Sequence, residues 1–131
     1  MAIDTGLLER FDRLIAGRGY TNRSEAFRDM IREELVEQSW ASPENQVVGT
    51  VTLVYDHHVR LLGDKLTGIQ HDYHHSVLST LHVHLDHDLC LEVIVIRGKA
   101  GTVRSLADAL ISAKGVKHGS LTLTTAGAEI K

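Results

Sequence analysis

The sequence predicts an α+β protein in two parts, a helical N-terminal unit followed by a sheet-bearing domain. Three observations predict it. Apolar residues recur at spacings of three and four through residues 5–35, the period then shortens to two, and the chain's single proline lies between the two patterns. Beyond that proline, strand-like and helix-like runs alternate in the order βαββαβ.

The first helix is predicted over Thr5–Ala16, where Leu7, Leu8, Phe11, Leu14 and Ile15 keep helical spacing until Gly17 and Gly19 stop the pattern. A second follows, with Asn22 and Glu25 spaced as a capping box and Phe27, Met30, Ile31 and Leu35 on one apolar face. Two short helices cannot close a core alone, so the unit is expected to pack on the rest of the chain or, as the simpler solution, to pair with a second copy. WASPENQ carries the only tryptophan and the only proline and marks the boundary, giving units 1–40 and 47–131 joined by a linker at 41–46.

In the second domain VVGTVTLVYD, SVLSTLHVHLDH, CLEVIVIRG and VKHGSLTLTT read as strands. HVRLLGDKLTGIQHDY, with Val59, Leu62, Leu66 and Ile69 on one face, and VRSLADALISAKG read as helices. This is the split βαβ plan, two helices covering one face of a four-stranded sheet and the other face left for a partner.

Composition narrows the function. A chain of 131 residues with 43% apolar content supports a packed core, and a net charge of -3 gives no general attraction to nucleic acid or anionic lipid. One cysteine excludes an internal disulfide and suits a reducing compartment, and the charged N-terminus is neither a signal peptide nor a membrane span, so a soluble cytoplasmic protein is expected. Nine histidines, most of them between His57 and His87, point to metal.

From Leu81 onward the alternation is strict, so His82 and His84 project from one sheet face about 7 Å apart along the strand. A turn around Asp86, His87 and Asp88 folds the next strand back and brings Cys90 alongside. Two imidazoles and a thiolate leave room for a further ligand, for which His71 at the end of the preceding helix is the candidate. The same segment matches HxHxDH, a pattern of two-zinc hydrolases, but there the motif occupies a loop in a longer chain. Four filled positions, and no phosphate loop or nucleophile elbow, argue against an enzyme. Imidazole and thiolate suit nickel, copper and zinc alike. His58, His75 and His118 read as ordinary surface histidines, whereas His57, His74, His87 and Asp86 read equally as a secondary metal site or as solvated turn residues.

The stretches RGYTNRSEAFRDMIREEL, LVYDHHVR, TGIQHDYHH, STLHVHLDHDLCLEV and GVKHGSLTL resemble, in colinear order over nearly the whole chain, the nickel-responsive ribbon-helix-helix repressors, the NikR family. The resemblance implies a ribbon-helix-helix unit followed by a ferredoxin-like, ACT-like domain. It further implies a homotetramer built as a dimer of dimers, with Ni(II) bound by His82, His84 and Cys90 of one subunit and His71 of a facing one. It implies that Glu92 orients a ligand, that Glu25 and Asp29 hold a secondary cation, and that nickel promotes operator binding and represses nickel-uptake genes. The chain departs from the family at its start. Only MAID precedes the first helix, leaving Ala2 as the sole outward position of a shortened base-reading strand, so the expectation is either a true start upstream or weakened or lost operator binding. Asn22, Arg23 and Ser24, at the turn before the second helix, remain as phosphate contacts. The alternative is an oligomeric transition-metal binding protein without sequence-specific DNA binding.

Overall fold

The protein was analysed as a computed structural model that describes residues 2–128 and 130. The chain forms two compact units that divide after Leu35.

The first unit contains α1 (Thr5–Gly17) and the larger part of α2 (Arg23–Ala41). Asp4 caps α1, its carboxylate accepting the Leu7 N–H at 3.1 Å, and Asn22 caps α2, its side-chain oxygen accepting from Glu25 N–H at 3.0 Å. Between them the chain reverses through Gly19 at φ +88°, a conformation that costs glycine nothing. The helices meet through stacked Phe11 and Phe27, 5.0 Å between centroids, with Ile15 and Ala26 buried beside them. Leu7, Leu14, Met30, Ile31 and Leu35 remain exposed. Residues 2–4 form no strand in the single protomer.

The second unit contains β1 (Gln46–Asp56), α3 (Leu62–Asp72), β2 (Val77–His84), β3 (Leu89–Lys99), α4 (Ala100–Ile111) and β4 (Val116–Thr124). The strands pair antiparallel in the order β2-β3-β1-β4. Period-two alternation decides which side chains form the core: Val47, Val51, Leu53 and Tyr55 of β1 and Cys90, Ile94 and Ile96 of β3 are buried, with Leu62 and Leu66 of α3 and Val103, Leu106 and Leu110 of α4. This is the expected α+β, βαββαβ arrangement, and it sets the ends of β2, β3 and β1 side by side.

Two details differ from the sequence expectation. The helix after β1 begins at Leu62 rather than at His58, because the Asp56 carboxylate accepts the His58 N–H at 2.8 Å, the Asp56 carbonyl accepts from Val59, and Leu61 is left-handed at φ +63°. Val59 therefore lies on a turn and stays exposed instead of joining the helix face. Trp40, in the segment read as a boundary, is only 2% exposed and belongs to the second unit's core, its indole N–H donating to the Thr124 carbonyl at 3.1 Å. Gly49 makes room for it, since a Cβ there would lie 2.9 Å from both Trp40 Cη2 and the Thr122 carbonyl oxygen.

Candidate metal centre

The centre forms where the β2–β3 hairpin turns. Asp86 Oδ1 accepts the N–H groups of Asp88 and Leu89, each at 2.8 Å, and these bonds hold its carboxyl below the ordinary carboxylate range. The turn fixes a register in which His84 faces Cys90 and His82 faces Glu92. On the far side of β3, Tyr55 pairs with Cys90 and Asp56 with Leu89, and the His57 N–H continues the ladder to the Asp88 carbonyl at 3.0 Å. Cys90 thus sits in the middle strand, between a histidine strand on one side and the end of β1 on the other.

His57, His84 and Cys90 bring one ligand atom each to within 4.8 Å of one another, and Cys90 Sγ lies 3.5 Å from His84 Nδ1. Ligands about 2.0–2.3 Å from a common ion stand at most about 4–4.6 Å apart, so side-chain shifts of a few tenths of an ångström bring this grouping to coordination size. Cys90 is fully buried, and burial, followed by the carboxylates of Asp56, Glu92 and Asp86, pushes its thiol above the usual range. A metal ion bound there must displace that proton.

His82 lies two residue pairs further along. Its ring is 5.5 Å from that of His84, its Nδ1 is 3.7 Å from Glu92 Oε1, and its Nε2 is 3.4 Å from the Tyr55 hydroxyl. Glu92 is 6% exposed and accepts hydrogen bonds from the Tyr55 hydroxyl at 3.1 Å and from the Gln70 amide at 2.9 Å. Burial, with the Glu92 charge next, raises the Tyr55 phenol and keeps it a donor. Thr80 donates to Gln70 at 2.8 Å, so Gln70 ties α3 to both β2 and β3 immediately before His71.

Among the described residues of this protomer, the structure brings His84 and Cys90 together, sets His82 beside them, and leaves His71 exposed on the last turn of α3, its ring 5.9 Å from that of His74. His57, which the sequence left open between site and turn, is the additional imidazole of the cluster. Its only sequence signal was the His57-His58 pair at a strand end, because its approach to Cys90 depends on β1 and β3 being neighbours. Asp86 is engaged by its own turn, and His74 Nδ1 lies 3.1 Å from the His71 carbonyl.

In the first unit Arg23 makes two 2.8 Å bonds to Asp12, which hold the Asp12 carboxyl low, while Asn22 caps α2 and Ser24 is exposed. Asp29 accepts from the Tyr20 hydroxyl at 2.7 Å and lies 3.8 Å from Arg32 Nη1, and Glu25 stays exposed.

Residues 48–124 match the family described as "NikR C terminal nickel binding domain". The chain belongs to the NikR family. Residues 2–38 match "Ribbon-helix-helix protein, copG family", so the NikR architecture, a ribbon-helix-helix domain followed by an ACT-like domain, spans both units. A nickel-responsive regulator from Solibacter usitatus is 75% identical over 131 residues, covering all of this chain and 94% of the relative. One from Geobacter metallireducens is 60% identical over 130 residues, covering 99% and 94%. The ACT domain of a GTP pyrophosphokinase from Chlorobium tepidum shares the sheet fold, with TM-score 0.51 and 13% identity over 59% of this chain and 99% of that one. An uncharacterized Thermotoga maritima protein does so at TM-score 0.55 and 12% identity, over 62% and 100%. NikR membership makes the chain a regulator rather than an enzyme and nickel the metal of its C-terminal domain, to which imidazole and buried thiol are chemically suited. Among the described residues no helix is long and apolar enough to cross a membrane.

Proposed function

We propose that this chain is a cytoplasmic, nickel-dependent repressor that binds operator DNA when nickel is bound and shuts off nickel-uptake genes. In this reading residues 1–40 bind DNA, 41–46 link, and 47–131 bind metal and form a tetramer, a dimer of dimers. Nickel is held by His82, His84 and Cys90 of one subunit and by His71 of a facing copy. The observation that carries the reading is the convergence of imidazoles on a buried cysteine in a chain whose N-terminus matches a ribbon-helix-helix family.

Several features support the parts. Glu92, packed against His82 and already bonded to Tyr55 and Gln70, is placed to orient that imidazole, as partners of metal-bound histidines do. Leu78, Leu81, Val83 and Leu85 are exposed along and just beyond β2, and Leu7, Leu14, Met30 and Ile31 are exposed in the first unit; a second copy would cover both sets. The α2 N-terminus at Asn22, Arg23 and Ser24 contacts phosphate, with Arg23 leaving Asp12 to do so, and Glu25 with Asp29 forms the secondary cation site. Nickel changes DNA affinity only as far as it prefers one arrangement of the tetramer over another.

The test is retention of genomic DNA fragments by the purified chain at moderate salt, with and without nickel. Nickel-dependent enrichment of one sequence is expected. Tight nickel binding with no selective retention would overturn the repressor reading in favour of a metal-binding oligomer.

A further inference from the structure

We propose that His58, His87 and Asp88 form a second metal site, at the protein surface, for a divalent transition ion of the imidazole-binding kind. It lies outside the His71, His82, His84 and Cys90 set and shares no ligand with it.

The three side chains bring one ligand atom each to within 4.8 Å of one another, a spacing of coordination size. His58 Nε2 is 3.4 Å from Asp88 Oδ1, and the rings of His58 and His87 are 5.5 Å apart and mutually tilted. An exposed His–Asp pair by itself is an ordinary weak ion pair. The second imidazole changes the chemistry: two nitrogens and one carboxylate oxygen favour nickel, zinc, copper or cobalt over calcium or magnesium, which take oxygen ligands.

The backbone beneath the cluster is already fixed. His58 and Asp88 come from segments distant in sequence, yet the His57 N–H donates to the Asp88 carbonyl at 3.0 Å and the His57 ring Nε2 lies 2.6 Å from the His87 carbonyl oxygen. Asp56 accepts from the His58 N–H at 2.8 Å, and Asp86 accepts from the Asp88 N–H at the same distance. Two turns, each held by its own aspartate, therefore present the ligands, and little backbone order is left to impose on binding. The side chains themselves are open to solvent, with His58 and Asp88 at 52% and 61% exposure. Three protein ligands in that setting leave positions for water, so the ion should exchange readily. The His57 ring lies 3.9 Å from that of His58 and also belongs to the inner cluster, so the outer ion is bound next to the inner one.

The experiment is equilibrium dialysis of the full chain against Ni(II) alone at neutral pH, with the thiolate-to-nickel absorption measured on the same samples. The unmodified chain is expected to take up two ions per protomer at excess nickel, only the first producing the absorption. The double variant His58→Ala/His87→Ala should fall to one ion with the absorption unchanged. Asp88→Asn, which keeps the turn backbone, should weaken the second ion alone. A chain that saturates at one ion with full absorption, or a double variant that still takes up two, would overturn the outer site. Loss of the absorption in the unmodified chain would instead strike the inner ligand set.

Discussion

Strands β2 and β3 pair in unbroken register from Ser79 to His84 and share the same alternation, yet they meet different surroundings. β3 buries Cys90, Glu92, Ile94 and Ile96 in turn, whereas every residue of β2 from Leu78 to His84 is exposed. The difference follows from position. β3 lies between two strands and beneath the helices, so its alternation completes the core of one chain. β2 is an edge strand, and its alternation serves what lies outside: His82 and His84 on one face, Leu81 and Val83 on the other. An exposed edge of this kind calls for a partner. In the proposed function that partner is a second copy, which also brings His71.

The largest expected effect falls where the two strands meet. Cys90→Ala should abolish the thiolate-to-nickel absorption outright, and His82→Ala should remove stoichiometric nickel binding, whereas His57→Ala should leave both in place. Absorption titrations of the three variants decide between His82 and His57 as the imidazole beside His84. If His57→Ala alone removes the binding, the grouping found in the single protomer is the complete one.

Core and edge should also separate in stability. Ile94→Ala, on β3, should cost about 2–5 kcal/mol in denaturant unfolding, as large-to-small changes in a packed core do. Leu81→Ala, on β2, should leave the unfolding of a single protomer nearly unchanged and weaken association instead, read by sedimentation. A Leu81→Ala loss as large as that of Ile94→Ala would show that the edge belongs to the core of one chain.

Glu92 joins the two strands, being buried on β3 while touching a β2 histidine. Glu92→Gln keeps the shape and removes the charge, and should weaken nickel by about 10–100-fold in chelator competition, the usual cost of losing a partner that orients a ligand. The smallest effect is expected at the turn. The Asp86 carboxyl is held below its ordinary value of 3.8 by two backbone N–H groups, so its contribution is present above that value and is lost as pH falls through the lower folded value. Protection of the Asp88 and Leu89 amides, taken relative to their intrinsic exchange rates, should fall on acidification through that range, and Asp86→Ala should remove that pH dependence of the protection.

Much of this was legible in the residues. Period-two runs located all four strands, and the strict alternation from Leu81 put His82 and His84 on one face, with the turn bringing Cys90 alongside; the register that sets His82 opposite Glu92 came from the fold. Helix starts were harder where polar side chains intervened: Asn22 announced α2 by its capping position, but Asp56 and the left-handed Leu61 delayed α3 past a run that looked helical. What spacing could not show was adjacency across the sheet. The approach of His57 to Cys90, and of His58 to His87 and Asp88, depends on β1 lying next to β3, which no local pattern encodes. Trp40 was similarly hidden, since its site requires the open space above Gly49.

The most direct measurement is complementation between two inactive subunits. His71→Ala subunits keep His82, His84 and Cys90, and Cys90→Ala subunits keep His71; each alone should lack the nickel-thiolate absorption. If nickel is shared between copies, unfolding the two variants together and refolding them should restore the absorption in part, because mixed oligomers contain some complete sites. Full absorption from His71→Ala alone, or none from the refolded mixture, would contradict a centre built across subunits.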